Sequence, residues 1–588
     1  MIAAQFSYLP NDATPAEIIA AKFDEDGSDV KFRRKPLRSL PDSFAIPVAH
    51  TYTELYQIKG RRWANLYLLD VQDELAELGV PLAANDDDLN ARAKDLSQRC
   101  ARLRDTAPSE EAGLYGIRYL LQERFNLHPA LLNEPLQSVP VTVSVTVGGT
   151  VTGTDKKGMT VTGALNRLCD EYWWRRTLRN VYVRNVEGYA VSTGLVHRNG
   201  YIYVSDESYK FIQQQSQRNI RTLKNTFAVN ESTGEEVSLY ELAEKSQANP
   251  KLRRGELMVR IRGFEEASKE LGHEAMFYTI TCPSRMHRYK SRVDAKGNIK
   301  TYLNTKYDKT TPREAQKYLS KLWAQIRAQL AREGIYVYGF RVVEPHHDGT
   351  PHWHLLLFVS PNQSNRLTEV LREYALKADP DERGAAEHRF KAEKIDPAKG
   401  SATGYIAKYI AKGLDGYGMD VDLYNEDAKQ SAKRIAAWAR TWGIRQYQQI
   451  GGPPVGIYRE MRRLKKAELS PDMQAIWEAA DKGDWKTFMA LMGGPLGKRK
   501  EMPVQLAKVW SDKPNRYREP SGNQIIGIEC GTVVVPTRLE QWSITFKGKR
   551  EVIKPIPLVQ NMLGQSAAES LGDSAGGVRG FLAPLEFC

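Results

Sequence analysis

Four of the chain's ten histidines fall within nine residues: His346, His347, His352 and His354. His352 and His354 are two apart in the apolar run HWHLLLFV. Alternate side chains of a strand share a face, so both imidazoles project together while Trp353 points the other way, into a core. Two imidazoles about 7 Å apart along a backbone can converge on one divalent cation. Glu344 ends the preceding apolar run, and across the turn between them its carboxylate can reach the same place. Two neutral imidazoles and one carboxylate make a three-ligand set with open positions, as a catalytic metal requires. The plainer alternative is a pair of surface histidines on an apolar strand.

A second group lies in GYIAKYIAKGLDG. Tyr405 and Tyr409 are four apart, hence one helical turn apart on one face. Lys408 and Lys412 repeat that spacing, each about 60° around the helix from a tyrosine. A phenol with a pKa near 10 is a poor nucleophile at pH 7. A cation beside it favours the phenolate, and a metal on a phosphate activates the electrophile. Tyrosines at this spacing can also be plain core residues.

The elements that must position these groups are legible. AMFYTITCPS (275–284) alternates and ends in Pro-Ser, which reads as a strand. The segment 311–333 reads as a helix: Thr311 caps it, Pro312 takes its first position and Glu314 closes a capping box. Its stripe is Leu319, Leu322, Trp323, Ile326 and Leu330, and Gly334 ends it. Strands follow at 335–344 and 352–359, joined by a turn with Asp348-Gly349 at its tip. Then come a helix near 364–377, a polar loop over 379–400 and a helix over 402–413.

Elsewhere, LNARAKDLSQRCARLRD after Asp86-Asp87-Asp88 reads as a capped amphipathic helix, and VPVTVSVTV (139–147) with the following TVTGT and MTVTG as a hairpin. Residues 163–184 and 205–270 read as helical, the latter broken at Asn249-Pro250. A helix at 470–492 precedes a Gly, Pro and Lys-rich stretch and strands at 525–535 and 541–546. Trp173-Trp174-Arg175-Arg176 and the basic aromatic segment 433–466 either grip nucleic acid or are core aromatics with solvated cations.

A length of 588 residues suggests roughly three to five domains. The 41% hydrophobic content excludes a mostly disordered chain, and a formal charge of +13 leaves room for a polyanionic partner. Five scattered cysteines without a CxxC pair argue against a zinc cluster or a disulfide scaffold and for a reducing cytoplasm. No run of 18 apolar residues and no signal peptide is present, so no membrane association is expected.

In order, FYTITCPS, PHWHLLLFV and a Tyr-x-x-Lys-Tyr motif resemble the HUH endonucleases, single-strand nickases that start rolling-circle replication or conjugative transfer. EPHHDGTPHWHLLLF, YIAKYIAKG and ARTWGIRQYQQIGGPPVGIYRE resemble more closely the replication gene A proteins of tailed bacteriophages, over much of residues 160–465. The resemblance implies an α+β, multidomain chain. Its central nuclease domain would hold an antiparallel sheet flanked by helices, with the His pair on a central strand and the tyrosine helix across that face. Largely helical N- and C-terminal regions would surround it. Read along its whole length, the sequence divides into 1–135, a mostly helical region; 136–254, a hairpin and helical DNA-contacting region; 255–425, the endonuclease; 426–500, a basic helical region; and 501–588, a small β region with a flexible tail.

The resemblance also implies roles. His352 and His354 are metal ligands for Mg²⁺ or Mn²⁺, with Glu344 as the expected third, a place His346 or His347 could take. Tyr405 and Tyr409 are paired nucleophiles, and Lys408 steadies the scissile phosphate. Thr279 and Thr281 lie in the first motif, whose role is structural. The implied reaction is site-specific nicking and resealing of single-stranded DNA at a replication origin through a 5′-phosphotyrosine, in the cytoplasm of a bacterial host with its helicase and polymerase. The alternatives are a mobilisation relaxase, which usually places its tyrosine ahead of the histidines, a metal-dependent hydrolase of small molecules, and a non-catalytic origin-binding protein. No GxxxxGK[ST] loop speaks for a helicase or primase.

Overall fold

The structure, a computed structural model, describes residues 8–24, 27–132, 160–293, 299–421, 427–464, 469–546 and 549–553. It has two compact units. One gathers the described residues up to 193 together with 511–522, and the other gathers 194–510 and those from 523 onward.

The first unit is helical. Its longest helices are Asp42–Lys59, Asp86–Thr106 and Glu171–Ser192. The expected capped helix is present, with Asn85 and Asp88 forming a capping box. The hairpin expected over 139–163 lies outside the described residues except for its last residues. These open a helix instead, because the Thr160 hydroxyl accepts the Gly163 amide and caps Val161–Leu168. The single helix expected over 163–184 is two, separated where Asp170 caps the second.

The second unit has α+β architecture around a five-stranded antiparallel sheet. Its strands are β1 (Glu274–Thr281), β2 (Tyr338–Pro345), β3 (Pro351–Val359), β4 (Phe390–Lys394) and β5 (Tyr447–Ile450), in the order β4-β1-β3-β2-β5. The His-x-His strand β3 is therefore central, as the resemblance implies. Five helices matter to it: α1 (Pro250–Glu270), α2 (Pro312–Arg332), α3 (Ser364–Leu376), α4 (Ala402–Leu414) and α5 (Ala428–Trp442).

The strand period divides β3 between two cores. Trp353, Leu355, Leu357 and Val359 join Tyr278, Ile280 and Val343 in a core closed by α2, α3 and α5. Leu356 and Phe358 join Phe277, Phe340 and Val342 in a core that Leu257 and Ile261 of α1 and Ile406 and Ile410 of α4 complete. The second face also carries His352 and His354, so the alternation that buries the sheet delivers both histidines to the tyrosine helix. Gly349, at φ +81°, turns the chain between β2 and β3.

Several expectations need correction. The polar loop over 379–400 contains edge strand β4, whose residues after Phe390 are exposed and give no apolar alternation. Residues 205–270 include strands Thr226–Asn230 and Glu236–Ser238, which pair with each other and, through the first, with Trp542–Phe546. The helix expected over 470–492 breaks at Gly483, whose left-handed backbone caps Pro471–Lys482. The Gly, Pro and Lys-rich stretch includes strand Gln505–Pro514.

Candidate active site

Cross-strand register sets the site. Glu344 of β2 faces His352, and Val342 faces His354. On the other side Thr281 faces His352 and Thr279 faces His354. One carboxylate and two imidazoles thus meet on one face: ligand atoms of Glu344, His352 and His354 all lie within 4.8 Å of one another. The Nε2 atoms of the two histidines are 3.0 Å apart, and Glu344 Oε2 lies 3.8 Å from His354 Nε2. Thr279 Oγ1 is 3.0 Å from His354 Nδ1. With Nδ1–H donating to that hydroxyl, the Nε2 lone pair points into the cluster, the outer contact a metal-binding imidazole needs. The first-motif threonine is thus a positioning contact.

The imidazoles are poised as neutral donors. Burial, reinforced by the Lys412 ammonium, lowers His354 to about 3. Burial and the neighbouring His354 hold His352 well below the usual imidazole value. A buried neutral imidazole with a fixed tautomer suits metal ligation.

Of the residues named for a third ligand, Glu344 is the one that clusters with His352 and His354. His346 is close by, its ring centroid 4.1 Å from that of His352, but it does not join the three-residue cluster. His347 turns toward Tyr289, 6.5 Å between ring centroids. Two residues that sequence reasoning missed hold this corner. His287 Nδ1 lies 3.1 Å from a carboxylate oxygen of buried Asp348, in the turn after β2. Burial raises Asp348, but the His287 imidazole more than offsets it and holds the carboxyl below its usual range.

Helix α4 starts where the Ser401 hydroxyl accepts the Gly404 amide, and it presents both tyrosines to the sheet. The Tyr409 ring stacks on His354 at 4.0 Å between centroids and on Phe277 at 5.5 Å. The Lys408 ammonium sits 4.9 Å from the Tyr409 ring centre. Burial and the carboxylates of Glu344 and Glu393 raise the Tyr409 phenol to about 12. Tyr405, one turn earlier, is more open, and its hydroxyl donates to Glu393 Oε1 at 3.2 Å. Lys412 was singled out only for its spacing. It is buried, and its ammonium lies 3.3 Å from Glu344 Oε2.

Of these groups, His352, His354 and Tyr409 line a cleft of about 490 Å³, together with Thr279, Thr281, Lys391 and Glu393 among others. The proposed nucleic-acid grips fare differently. Trp174 is fully buried, its indole N–H donating to Leu168 O, and Arg175 donates to Asn90, so both serve the helical unit itself. In the 433–466 segment Trp438 and Trp442 are core, and Arg434 donates to Ile202 O, Val204 O and Asp206. That part of the segment is structural.

Residues 151–417 match the family of the bacteriophage replication gene A protein. The chain is 38% identical over 418 residues to the replication gene A protein of Escherichia phage 186, covering 69% of this chain and 58% of that one. It is 39% identical over 394 residues to the replication protein of Haemophilus phage HP1, covering 65% of this chain and 49% of that one. It is 33% identical over 383 residues to a probable replication endonuclease from prophage-like region 2 of Salmonella typhi, covering 62% of this chain and 46% of that one. The chain thus spans roughly half the length of these relatives. No solved structure matches it. Among the described residues no helix is long and apolar enough to cross a membrane. Over residues 151–417 the chain is thus similar to the bacteriophage replication gene A protein family.

Proposed function

We propose that this chain is a metal-dependent, site-specific single-strand DNA endonuclease of the HUH type that initiates rolling-circle replication. The observation that carries this reading is the Tyr409 ring stacked at 4.0 Å on His354, inside the Glu344, His352 and His354 cluster. A phenol stacked on a ligand-type imidazole is where a tyrosine nucleophile beside a phosphate-binding ion has to stand.

The donor set fits such an ion: one buried carboxylate and two imidazoles, His354 buried and His352 half-buried, with both histidines lining the cleft. Mg²⁺ or Mn²⁺ held there would supply Lewis-acid polarisation of a non-bridging phosphate oxygen, and the two nitrogens favour Mn²⁺. The chain's own residues do the rest. Glu344, His352 and His354 fix where the scissile phosphate lies, and Lys408 offsets its charge. Tyr409 gives its proton to water as its oxygen forms a bond to phosphorus. The 3′ oxygen leaves with its electron pair, and the 5′ phosphate remains on the tyrosine. The ester retains the reactivity needed for resealing without ATP. Tyr405, one turn away, is placed to make the second attack after one round of replication. The partner is single-stranded DNA at a replication origin. The freed 3′-hydroxyl primes a host polymerase, and strand separation falls to a host helicase.

The test uses labelled single-stranded oligonucleotides from the chain's own replicon with Mn²⁺. A denaturation-resistant adduct is expected, absent in the Tyr405→Phe/Tyr409→Phe double variant, in His352→Ala and after chelation. An adduct that persists in the double variant would sink the reading.

A further inference from the structure

The two tyrosines share a helix face but not a chemical environment. Tyr409 is stacked on a metal-site imidazole, with Lys408 over its ring. Tyr405 lies beyond Phe277, 6.3 Å between ring centroids, and its hydroxyl donates to Glu393 Oε1 at 3.2 Å. Glu393 belongs to edge strand β4, where it pairs in register with Phe277 while Lys391 pairs with Thr279. Paired residues of adjacent strands share a face. Glu393 and Lys391 therefore stand on the same side of the sheet as His354, and both line the cleft.

We propose that Glu393 is a catalytic residue, the proton acceptor for Tyr405 and not for Tyr409, so that the two nucleophiles are activated by different groups. This rests on the nicking reading above. The Glu393 hydrogen bond and charge raise the Tyr405 phenol above its ordinary value, so it is neutral near pH 7 and must shed its proton during attack. The group already holding that proton's far side is Glu393. As the Tyr405 oxygen bonds to phosphorus, its O–H bond breaks and the proton passes to Glu393 Oε1, giving a carboxylic acid. The bond from phosphorus to the 3′ oxygen breaks with its electron pair, and that oxygen takes a proton from water. Glu393 then returns its proton to solvent. In resealing the 3′-hydroxyl gives its proton to water as its oxygen bonds to phosphorus, and Glu393, having regained a proton from solvent, passes it to the departing phenolate. Lys391, two residues along the same face, offers a cation for the phosphate that Tyr405 attacks.

The difference between the two phenols supplies the test. Adduct formation is followed in single turnovers with Mn²⁺ and the replicon oligonucleotide, in full-length Tyr409→Phe, where only Tyr405 can react, and in Tyr405→Phe, where only Tyr409 can. Glu393→Gln keeps the hydrogen-bond acceptor but takes no proton. In the Tyr409→Phe chain it is expected to slow adduct formation by about 10²-fold or more, the usual contribution of a general base. That loss should exceed the loss in the Tyr405→Phe chain at least tenfold. Glu393→Asp, which keeps a base, should recover part of the rate. Equal losses in the two backgrounds, no loss in the Tyr409→Phe chain, or no Tyr405 adduct while Tyr409 still reacts would each overturn the assignment. Absence of an adduct at both tyrosines would overturn the nicking reading itself.

Discussion

The two faces of β3 differ sharply. On one, Trp353, Leu355, Leu357 and Val359 pack into an apolar core against helices α2, α3 and α5. On the other, the same strand passes from Phe358 and Leu356 to His354 and His352, beside Glu344 and Lys412. Glu344 is 1% exposed, Lys412 4% and His354 5%. Burying such groups costs several kcal/mol per ion before pairing offsets it. One face therefore stabilises the unit, and the other holds ionisable groups in the dry surroundings where they act on charge most strongly.

The sharpest way to break this comparison is to cut each face at adjacent positions. Trp353→Ala removes a fully buried indole, its hydrogen bond to Gln316 and its stacking under the Arg341 guanidinium, 4.1 Å from the ring. A loss of about 3–5 kcal/mol is expected, read from the urea midpoint of unfolding. His352→Ala, one residue away, is expected to cost less than about 1 kcal/mol, because its Nδ1 is buried without a hydrogen-bond partner. Similar midpoints for the two variants would show that both faces carry the fold equally.

A smaller effect is expected within the polar face. Lys412→Met leaves the Glu344 carboxylate buried without its ammonium, which should cost about 3 kcal/mol. The double variant Lys412→Met/Glu344→Gln removes the charge imbalance and should regain at least half of that loss. A double-mutant cycle of unfolding midpoints measures the coupling. Additive losses would mean that the pair does not act as one.

Much of this was legible in the sequence, for reasons that also explain what was not. Local signals carry far: the Thr311 to Glu314 capping box, the alternation that puts Trp353 opposite its neighbouring histidines, and the one-turn spacing of Tyr405 and Tyr409 all appear in the structure. Glu393 was hidden because β4 is an exposed edge strand, so its period leaves no apolar trace. The Lys412 to Glu344 and His287 to Asp348 contacts join residues 68 and 61 positions apart, pairings that only tertiary packing creates. Trp174 beside two arginines left a stacking platform and a core indole both open, and its helix turns it inward. Composition cannot tell a buried indole from an exposed one without the neighbouring helices.

The mildest test concerns how the polar face is held to the apolar one. Glu265 of α1 reaches the first turn of α4, accepting the Thr403 amide at 2.9 Å and its hydroxyl at 2.5 Å. A carboxylate there caps exposed N–H groups and complements the helix dipole. Burial raises the Glu265 carboxyl, but the Thr403 hydrogen bonds and the Lys269 ammonium outweigh it, and the net direction is down. A depressed folded pKa gives stability that is fully present above the unfolded value, about 4.3, and is lost as pH falls through the folded one. Glu265→Gln should therefore cost about 1 kcal/mol at pH 7, with the gap to the parent closing below pH 4. Because α4 carries both tyrosines, the same variant should slow both single-tyrosine adducts to a similar, modest extent, unlike Glu393→Gln. A gap in unfolding midpoints that stays constant from pH 7 to pH 3 would show that Glu265 acts through packing and not through its charge at the head of the tyrosine helix.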